Sequence, residues 1–197
     1  MPKGIPLTDQ EQMRRRHEIY DASVKLFLRR GFQETSMREI AEVTGIGKST
    51  FYDYFRNKDE ILVWGVQDQI EDLTAEACRI AALPLPAAAR LRRVMKNHAE
   101  YVMASKEFFI KLSFEVQRLS LESQRRIQVA RHEYQDTIRR IIDEGIREGA
   151  FRNVDSLLAA RLLIQAVTPT IVTSRPTGSP QKMLARALDI LLNGIQA

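Results

Sequence analysis

Residues 35–62 read TSMREIAEVTGIGKSTFYDYFRNKDEIL. Ser36 is suited to cap a helix, and Glu39 three residues on completes an S-x-x-E capping box, in which each side chain satisfies a backbone N–H of the other residue. Ile40, Ala41 and Val43 give this helix an apolar side, and Ala41 is small where two helices must cross closely. Gly45 lies four residues after Ala41, where the turn needs a left-handed backbone that a Cβ would strain. Ile46 is the apolar plug of the turn. Lys48 to Phe55 reads as a second, short helix with Phe51 and Phe55 inward at i, i+4. Lys48, Ser49, Thr50, Tyr52, Asp53 and Tyr54 are left for its other faces. Any two amphipathic helices joined by glycine share part of this pattern. The small Ala, the Gly four on and the Phe six beyond that are jointly rarer. The layout is that of a helix-turn-helix whose second helix is shaped to enter a DNA major groove.

Outward from this stretch the chain reads as helices throughout. Residues 1–8 are expected to be an arm and Asp9 to Arg30 a helix, with Gly31 as its C-terminal cap. A longer helix is expected from Asn57, its N-cap, to about Ala82, and LPLP at 83–86 breaks it. Further helices are expected over 87–104, 106–119 and 123–149, the last with Ile127, Tyr134, Ile138, Ile141, Ile142 and Ile146 at helical spacing. Asp155 caps a helix to about Thr173, SRPTGSP at 174–180 is a loop, and Gln181 to Asn193 is the last helix, with Gly194 at its end. Nothing reads as a run of strands. The last two helices, around Leu162, Leu163, Val167, Leu184, Leu188 and Leu191, are apolar on most faces and so must be buried on most faces. They form either a subunit interface or a protomer's central core. Pro169 should kink the first of them or end it early.

Composition narrows the function classes. The chain has 197 residues, a formal charge of +5 and 44% hydrophobic residues, which fits a globular protein able to bury a sizeable core. Residues 1–58 hold 11 Lys/Arg and 8 Asp/Glu, and the remainder 19 and 17, so the N-terminal part is mildly the more basic. That suits a polyanion partner without requiring one. The single cysteine, Cys78, permits no intrachain disulfide and fits a reducing compartment. With no membrane-length apolar run and no signal pattern, the expected location is cytoplasmic.

No catalytic constellation is present. His17, His98 and His132 lie far apart without ligand spacing, and no HExxH, GxSxG, P-loop or dinucleotide fingerprint occurs. The acids Asp143, Glu144 and Glu148 suit a solvated helix face better than a metal. No cofactor or metal is expected. Aromatic and adaptable side chains on the middle helices, namely Trp64, Met95, His98, Tyr101, Val102, Met103, Phe108, Phe109, Leu112, Phe114 and Tyr134, form a candidate ligand site. Each of them is equally compatible with an ordinary core. Arg90, Arg92, Arg93, Lys96, Lys106, Lys111 and Arg118 add positive charge around them.

Residues 19–64 resemble the N-terminal domain of TetR-family transcriptional regulators. The matching pieces are the helix ending LFLRRGF, the run TSMREIA, the segment GIGKSTFYDYF and the opening NKDEIL. The resemblance implies an all-α homodimer with a three-helix DNA-binding head over residues 1–56. A ligand-binding and dimerisation body would follow over residues 57–197, and a small ligand would release the protein from a pseudo-palindromic operator. It also implies that the last two helices pair between subunits. Thr35 and Ser36, at a helix N-terminus, suit a phosphate. Lys48, Ser49 and Thr50 should meet base edges or nearby phosphates, and Tyr52, Tyr54 and Lys58 phosphates. By resemblance Gly47, Lys48, Ser49, Thr50, Tyr52, Tyr54 and Lys58 occupy the family's DNA-contacting positions. Asp53 departs from that pattern, since the family often has Tyr, His or Arg there; an acid near phosphate is repulsive, which leaves it to read a cytosine amino group, to pair with a neighbouring cation or to point away. The C-terminal SRPTGSPQKMLARALDILLNGI resembles the ends of regulators of fatty-acid and steroid catabolism that sense acyl-CoA thioesters. That makes an apolar or acyl-CoA-like ligand the first expectation. A ligand-independent helical DNA-binding or interaction module and a helical-bundle enzyme are the rival readings.

Overall fold

A computed structural model describes residues 8–193, the Ile171 side chain excepted. The described elements are ten α-helices: α1 (Asp9–Arg30), α2 (Met37–Thr44), α3 (Lys48–Tyr54), α4 (Lys58–Ala81), α5 (Ala87–Ala104), α6 (Lys106–Lys111), α7 (Ser113–Arg118), α8 (Leu121–Arg147), α9 (Ser156–Ile171) and α10 (Pro180–Asn193). The expected arm lies outside the described residues except for Thr8, which closes a capping box with Glu11 at the start of α1. Gly194 also lies outside them.

The expected caps form. Ser36 and Glu39 make the reciprocal box on α2, and Gly45 ends that helix at φ 66°, in the left-handed region. Asn57 Oδ1 accepts from the Glu60 amide at 2.8 Å and Asp155 Oδ1 from the Leu158 amide at 2.9 Å. Elsewhere the boundaries move. The single helix expected over 106–119 is two, α6 and α7, which break at Leu112. No proline or glycine marks that break. Turning there buries Leu112, 1% exposed, together with Val116 and Leu119. It also lets Lys111 Nζ donate to the Leu28 carbonyl at 2.9 Å and Gln33 Nε2 to Glu115 at 2.6 Å. Helix α8 begins at Leu121 rather than Ser123, because Ser120 Oγ accepts from the Ser123 amide at 3.2 Å. Helix α9 stops two residues past Pro169.

The chain divides into two compact units: the residues up to Val66 with Lys111–Gln124, and Gln67–Ile110 with the residues from Arg125 on. The 56/57 boundary read from the sequence therefore falls inside the first unit. Ile61, Leu62 and Val63 of α4 are fully buried there, beside a core of Ile19, Phe27, Phe32, Ile40, Phe51 and Phe55. Trp64 packs edge-on against His17, Tyr20 and Phe55, with ring centroids 4.9, 5.7 and 5.9 Å away. Tyr20 in turn occupies the space above Gly65, where a Cβ would stand 1.9 Å from the ring. Val43 was expected on the apolar side of α2 and is instead 54% exposed.

The second unit packs α5 against α9 and α10, with Ile138, Ile141 and Ile142 of α8 joining Leu91, Met95, Ala99, Leu163, Val167 and Leu188 in one core. Arg90 is a lock in this unit. Its Nη1 donates to the Ala81 carbonyl at 2.8 Å and to Glu144 at 2.6 Å, and its Nη2 lies 3.8 Å from Glu148. Among the described residues no helix is long and apolar enough to cross a membrane.

Candidate DNA interface and effector body

Helix α3 is short, and its placement rests on two rings. Phe51 and Phe55 are 0% and 2% exposed, so the helix is pinned along one side. Gly47 is its N-cap and offers no side-chain cap, which leaves the first amides of α3 open. Lys48, Ser49, Thr50 and Asp53 are exposed, and Tyr52 is 40% exposed with its ring edge-on to Phe51. One buried aromatic side and one exposed side of amine, hydroxyl and phenol is what a groove-reading helix requires. Asp53 forms no ion pair among the described residues, so no neighbouring cation offsets its charge. Tyr54 is half-buried, and its carbonyl accepts from Arg16 Nη2 at 3.3 Å. The Arg16 guanidinium sits over the Phe55 and Trp64 rings at 5.3 and 5.9 Å, tying α1 to the end of α3. Sequence reading missed Arg16, because nothing local links it to a residue so far along the chain.

Three expected contacts take other roles. Thr35 is 1% exposed, and its hydroxyl donates to the Gly31 carbonyl at 2.7 Å, so the side chain faces the turn and not a phosphate. The Ser36 hydroxyl donates to Glu39 at 2.8 Å and accepts from the Glu39 amide at 3.2 Å, so it is occupied by the cap. The Ser36 amide and hydroxyl, with Arg30 nearby, hold the Glu39 carboxyl below its usual range. Lys58 Nζ donates to the carbonyls of Phe32 and Gln33 at 2.8 and 3.1 Å and lies over the Phe32 ring at 5.0 Å. Lys58 thus fastens the start of α4 to the turn after α1.

The ligand candidates also separate. Trp64, Leu112 and Phe114 belong to the first unit, where Trp64 and Leu112 are packing residues and Phe114 is 68% exposed. Met95 and Val102 are fully buried in the second unit's core. His98 with Tyr134, and Tyr101 with Phe108 and Phe109, are its two polar-aromatic sets. His98 Nδ1 lies 3.1 Å from the Tyr134 hydroxyl, and the two rings stack with centroids 5.5 Å apart. The Tyr101 hydroxyl donates to Gln69, and Tyr101 meets Phe109 edge-on at 5.8 Å, with Phe108 beyond. Burial pushes His98 down to about 4 and Tyr101 up to about 12, and raises Tyr134 as well. All three are neutral at pH 7. Of the expected cations, Arg90 is committed to Glu144, Lys96 lies 3.7 Å from Glu100 and Arg118 3.7 Å from Glu115.

The acids expected on a solvated face are ion-paired, Glu144 and Glu148 with Arg90 and Asp143 with Arg139 at 3.7 Å. Cys78 is exposed, with Sγ 3.6 Å from the Thr137 hydroxyl. The expected interface set splits by helical phase. Leu163, Val167, Leu184 and Leu188 are at most 7% exposed inside the protomer, and Leu191 is half-buried. Among the described residues the large apolar side chains that α9 and α10 expose are Leu158, Leu162 and Ile190, at 51%, 53% and 73%.

Two family models match this architecture. The one for bacterial regulatory proteins of the tetR family matches residues 19–63, and the tetracyclin repressor-like C-terminal domain matches residues 84–195. The chain belongs to the TetR family. It is a DNA-binding transcriptional regulator with a helix-turn-helix head and a helical body. Among curated relatives it is 26% identical over 185 residues to the HTH-type transcriptional repressor KstR2 of Rhodococcus jostii, covering 92% of this chain and 91% of that protein. Among solved structures, the TetR-family regulator PfmR of Thermus thermophilus is 26% identical with a TM-score of 0.72, covering 98% of this chain and all of that one. The regulator FadR of Bacillus subtilis, solved with stearoyl-CoA, is 22% identical with a TM-score of 0.79, covering 91% and 99%. At that identity the likeness to FadR shows the fold.

Proposed function

We propose that this TetR-family chain is a homodimeric repressor, held on a pseudo-palindromic operator by α3 and released by a small, mostly apolar ligand. The observation that carries the reading is the two-sided build of α3: Phe51 and Phe55 buried, Lys48, Ser49, Thr50 and Tyr52 exposed. In this reading the first unit reads DNA and the second binds the effector and the partner subunit. Lys48 reaches guanine, Ser49 and Thr50 take base edges or phosphates, and Tyr52 takes phosphate through its hydroxyl. The subunits meet through the exposed Leu158, Leu162 and Ile190, which a monomer would leave in water. The protein works in the cytoplasm and performs no chemistry of its own.

The effector reading draws on the second unit's neutral polar groups and on the stearoyl-CoA held by FadR. His98, Tyr101 and Tyr134 offer hydrogen bonds without charge, which suits the uncharged carbonyl of an acyl-CoA thioester within an apolar setting. To act, the ligand must favour the released form. A hundredfold preference per site supplies about 2.7 kcal/mol against DNA binding. The test is a gel-shift on the promoter region beside the protein's own gene, repeated with acyl-CoA thioesters, free fatty acids and aromatic compounds. Lys48→Ala and Tyr52→Ala should each cost about 1–3 kcal/mol of operator affinity. Unchanged affinity in the folded double variant overturns the α3 assignment, and an acyl-CoA that stabilises the protein without releasing DNA overturns the switch.

A further inference from the structure

The end of α9, the loop after it and one side of α10 line an open groove of about 360 Å³ within the second unit. Two guanidiniums, Arg175 and Arg186, line it. Neither forms an ion pair or donates a hydrogen bond among the described residues. The stretch 156–188 holds Arg161, Arg175, Lys182 and Arg186 and not one Asp or Glu. Asp189, one turn beyond Arg186, is exposed, is absent from the lining and pairs with neither arginine. Glu144 and Glu148 of this unit are held by Arg90.

The walls are prepared for a polar head on an apolar body. Thr170, Thr173 and Thr177 line the groove beside the arginines, Pro169 and Met183 provide an apolar floor, and Ile190 closes the end toward the proposed subunit interface. The loop is tied in place. The Thr173 hydroxyl accepts from the Arg175 amide at 3.1 Å, and the Thr177 amide points at the Met183 sulfur at 3.2 Å. A guanidinium is a planar fork matched to phosphate oxygens, so two of them in one concavity select a phosphate over a lone point charge. The volume lies in the range of small-ligand pockets and exceeds what a bare phosphate ion fills.

We infer that this groove is an anion site that takes an organic phosphate, with Arg175 and Arg186 on the phosphate and the Pro169–Met183 floor under the organic part. The site is separate from the polar-aromatic sets of α5, α6 and α8, and its test does not depend on operator binding.

The experiment is calorimetric titration of the full-length protein with ADP, pyrophosphate and adenosine, at low and at raised salt. ADP should bind more tightly than pyrophosphate and far more tightly than adenosine, with an affinity that falls as salt rises. Arg175→Gln and Arg186→Gln should each weaken ADP about tenfold, with unaltered melting in the absence of ligand. An acyl-CoA carries the same phosphate chemistry. If it displaces ADP, the phosphate belongs to the effector, and if both bind at once, the groove serves a second molecule; either result supports the site. Equal binding of ADP by wild type and the double variant overturns the inference. So does a double variant that loses its dimer while keeping its ADP affinity, since the guanidiniums would then face a partner's carboxylates.

Discussion

Replacing Gly65 by alanine sets two physical effects against each other. Gly65 lies inside α4, and in an exposed helix alanine is the better residue by about 1 kcal/mol. Here a Cβ would stand 1.9, 2.3 and 2.5 Å from Tyr20 Cε2, Cζ and Cδ2. Tyr20 is 6% exposed and edge-on to Trp64, which is itself packed on His17 and Phe55, so the ring cannot swing aside alone. Overpacking of this kind costs about 1–3 kcal/mol, and contacts this short belong at the upper end. Subtracting the propensity gain leaves a net loss of about 2 kcal/mol, or roughly 4–8 °C in Tm for a chain of this size. Thermal and urea melts of the full-length protein at fixed concentration read it directly. Tyr20→Leu removes the ring and opens room, so in the double variant the alanine should cost at least about 1 kcal/mol less than it does alone. Gly65→Ala melting at or above wild type would refute the reasoning, because propensity would then have outweighed the contact.

Other perturbations follow from the same geometry. Lys58→Met should destabilise the first unit by about 1–3 kcal/mol, since the carbonyls of Phe32 and Gln33 lose a charged donor; an unchanged melt with a shallower salt dependence of DNA binding would return Lys58 to phosphate contact. The His98 pKa is depressed from 6.5 to about 4, so the folded state binds fewer protons than the unfolded one. Its contribution is full above pH 6.5 and is lost as pH falls toward 4, by up to about 3 kcal/mol. His98→Gln should flatten that part of the stability–pH curve. Leu162→Glu, at an exposed position, should yield folded monomers by light scattering and circular dichroism, whereas Leu188→Glu, 7% exposed, should unfold the protomer.

Most of the head was legible because its signals are local. The Ser36–Glu39 box, Gly45 at φ 66° and the Phe51/Phe55 spacing each lie within one helix turn of their partners. Local rules therefore decide them. The contact residues were less legible, since Thr35, Ser36 and Lys58 have the chemistry of phosphate ligands yet spend it on Gly31, Glu39, Phe32 and Gln33. Residue type does not say which acceptor a donor will find. The ligand set was the least legible, because Trp64 and Leu112 have the same apolar character as Met95 and Val102 but fall in the other unit.

The sequence by itself determined that the chain is all-α, that it carries a helix-turn-helix, and which faces of each helix are apolar. Those properties follow from periodicity, capping and glycine placement, which act over a few residues. Only the tertiary structure decided which apolar face meets which. It split α6 from α7 at an unmarked leucine, turned Leu163, Val167 and Leu188 inward while leaving Leu158, Leu162 and Ile190 outside, and left Arg175 and Arg186 together without an acid. A helix apolar on most faces has several ways to bury itself. The choice among them is made by shape complementarity between elements far apart in the chain, as where Tyr20 settles on the one position of α4 that has no Cβ to oppose it.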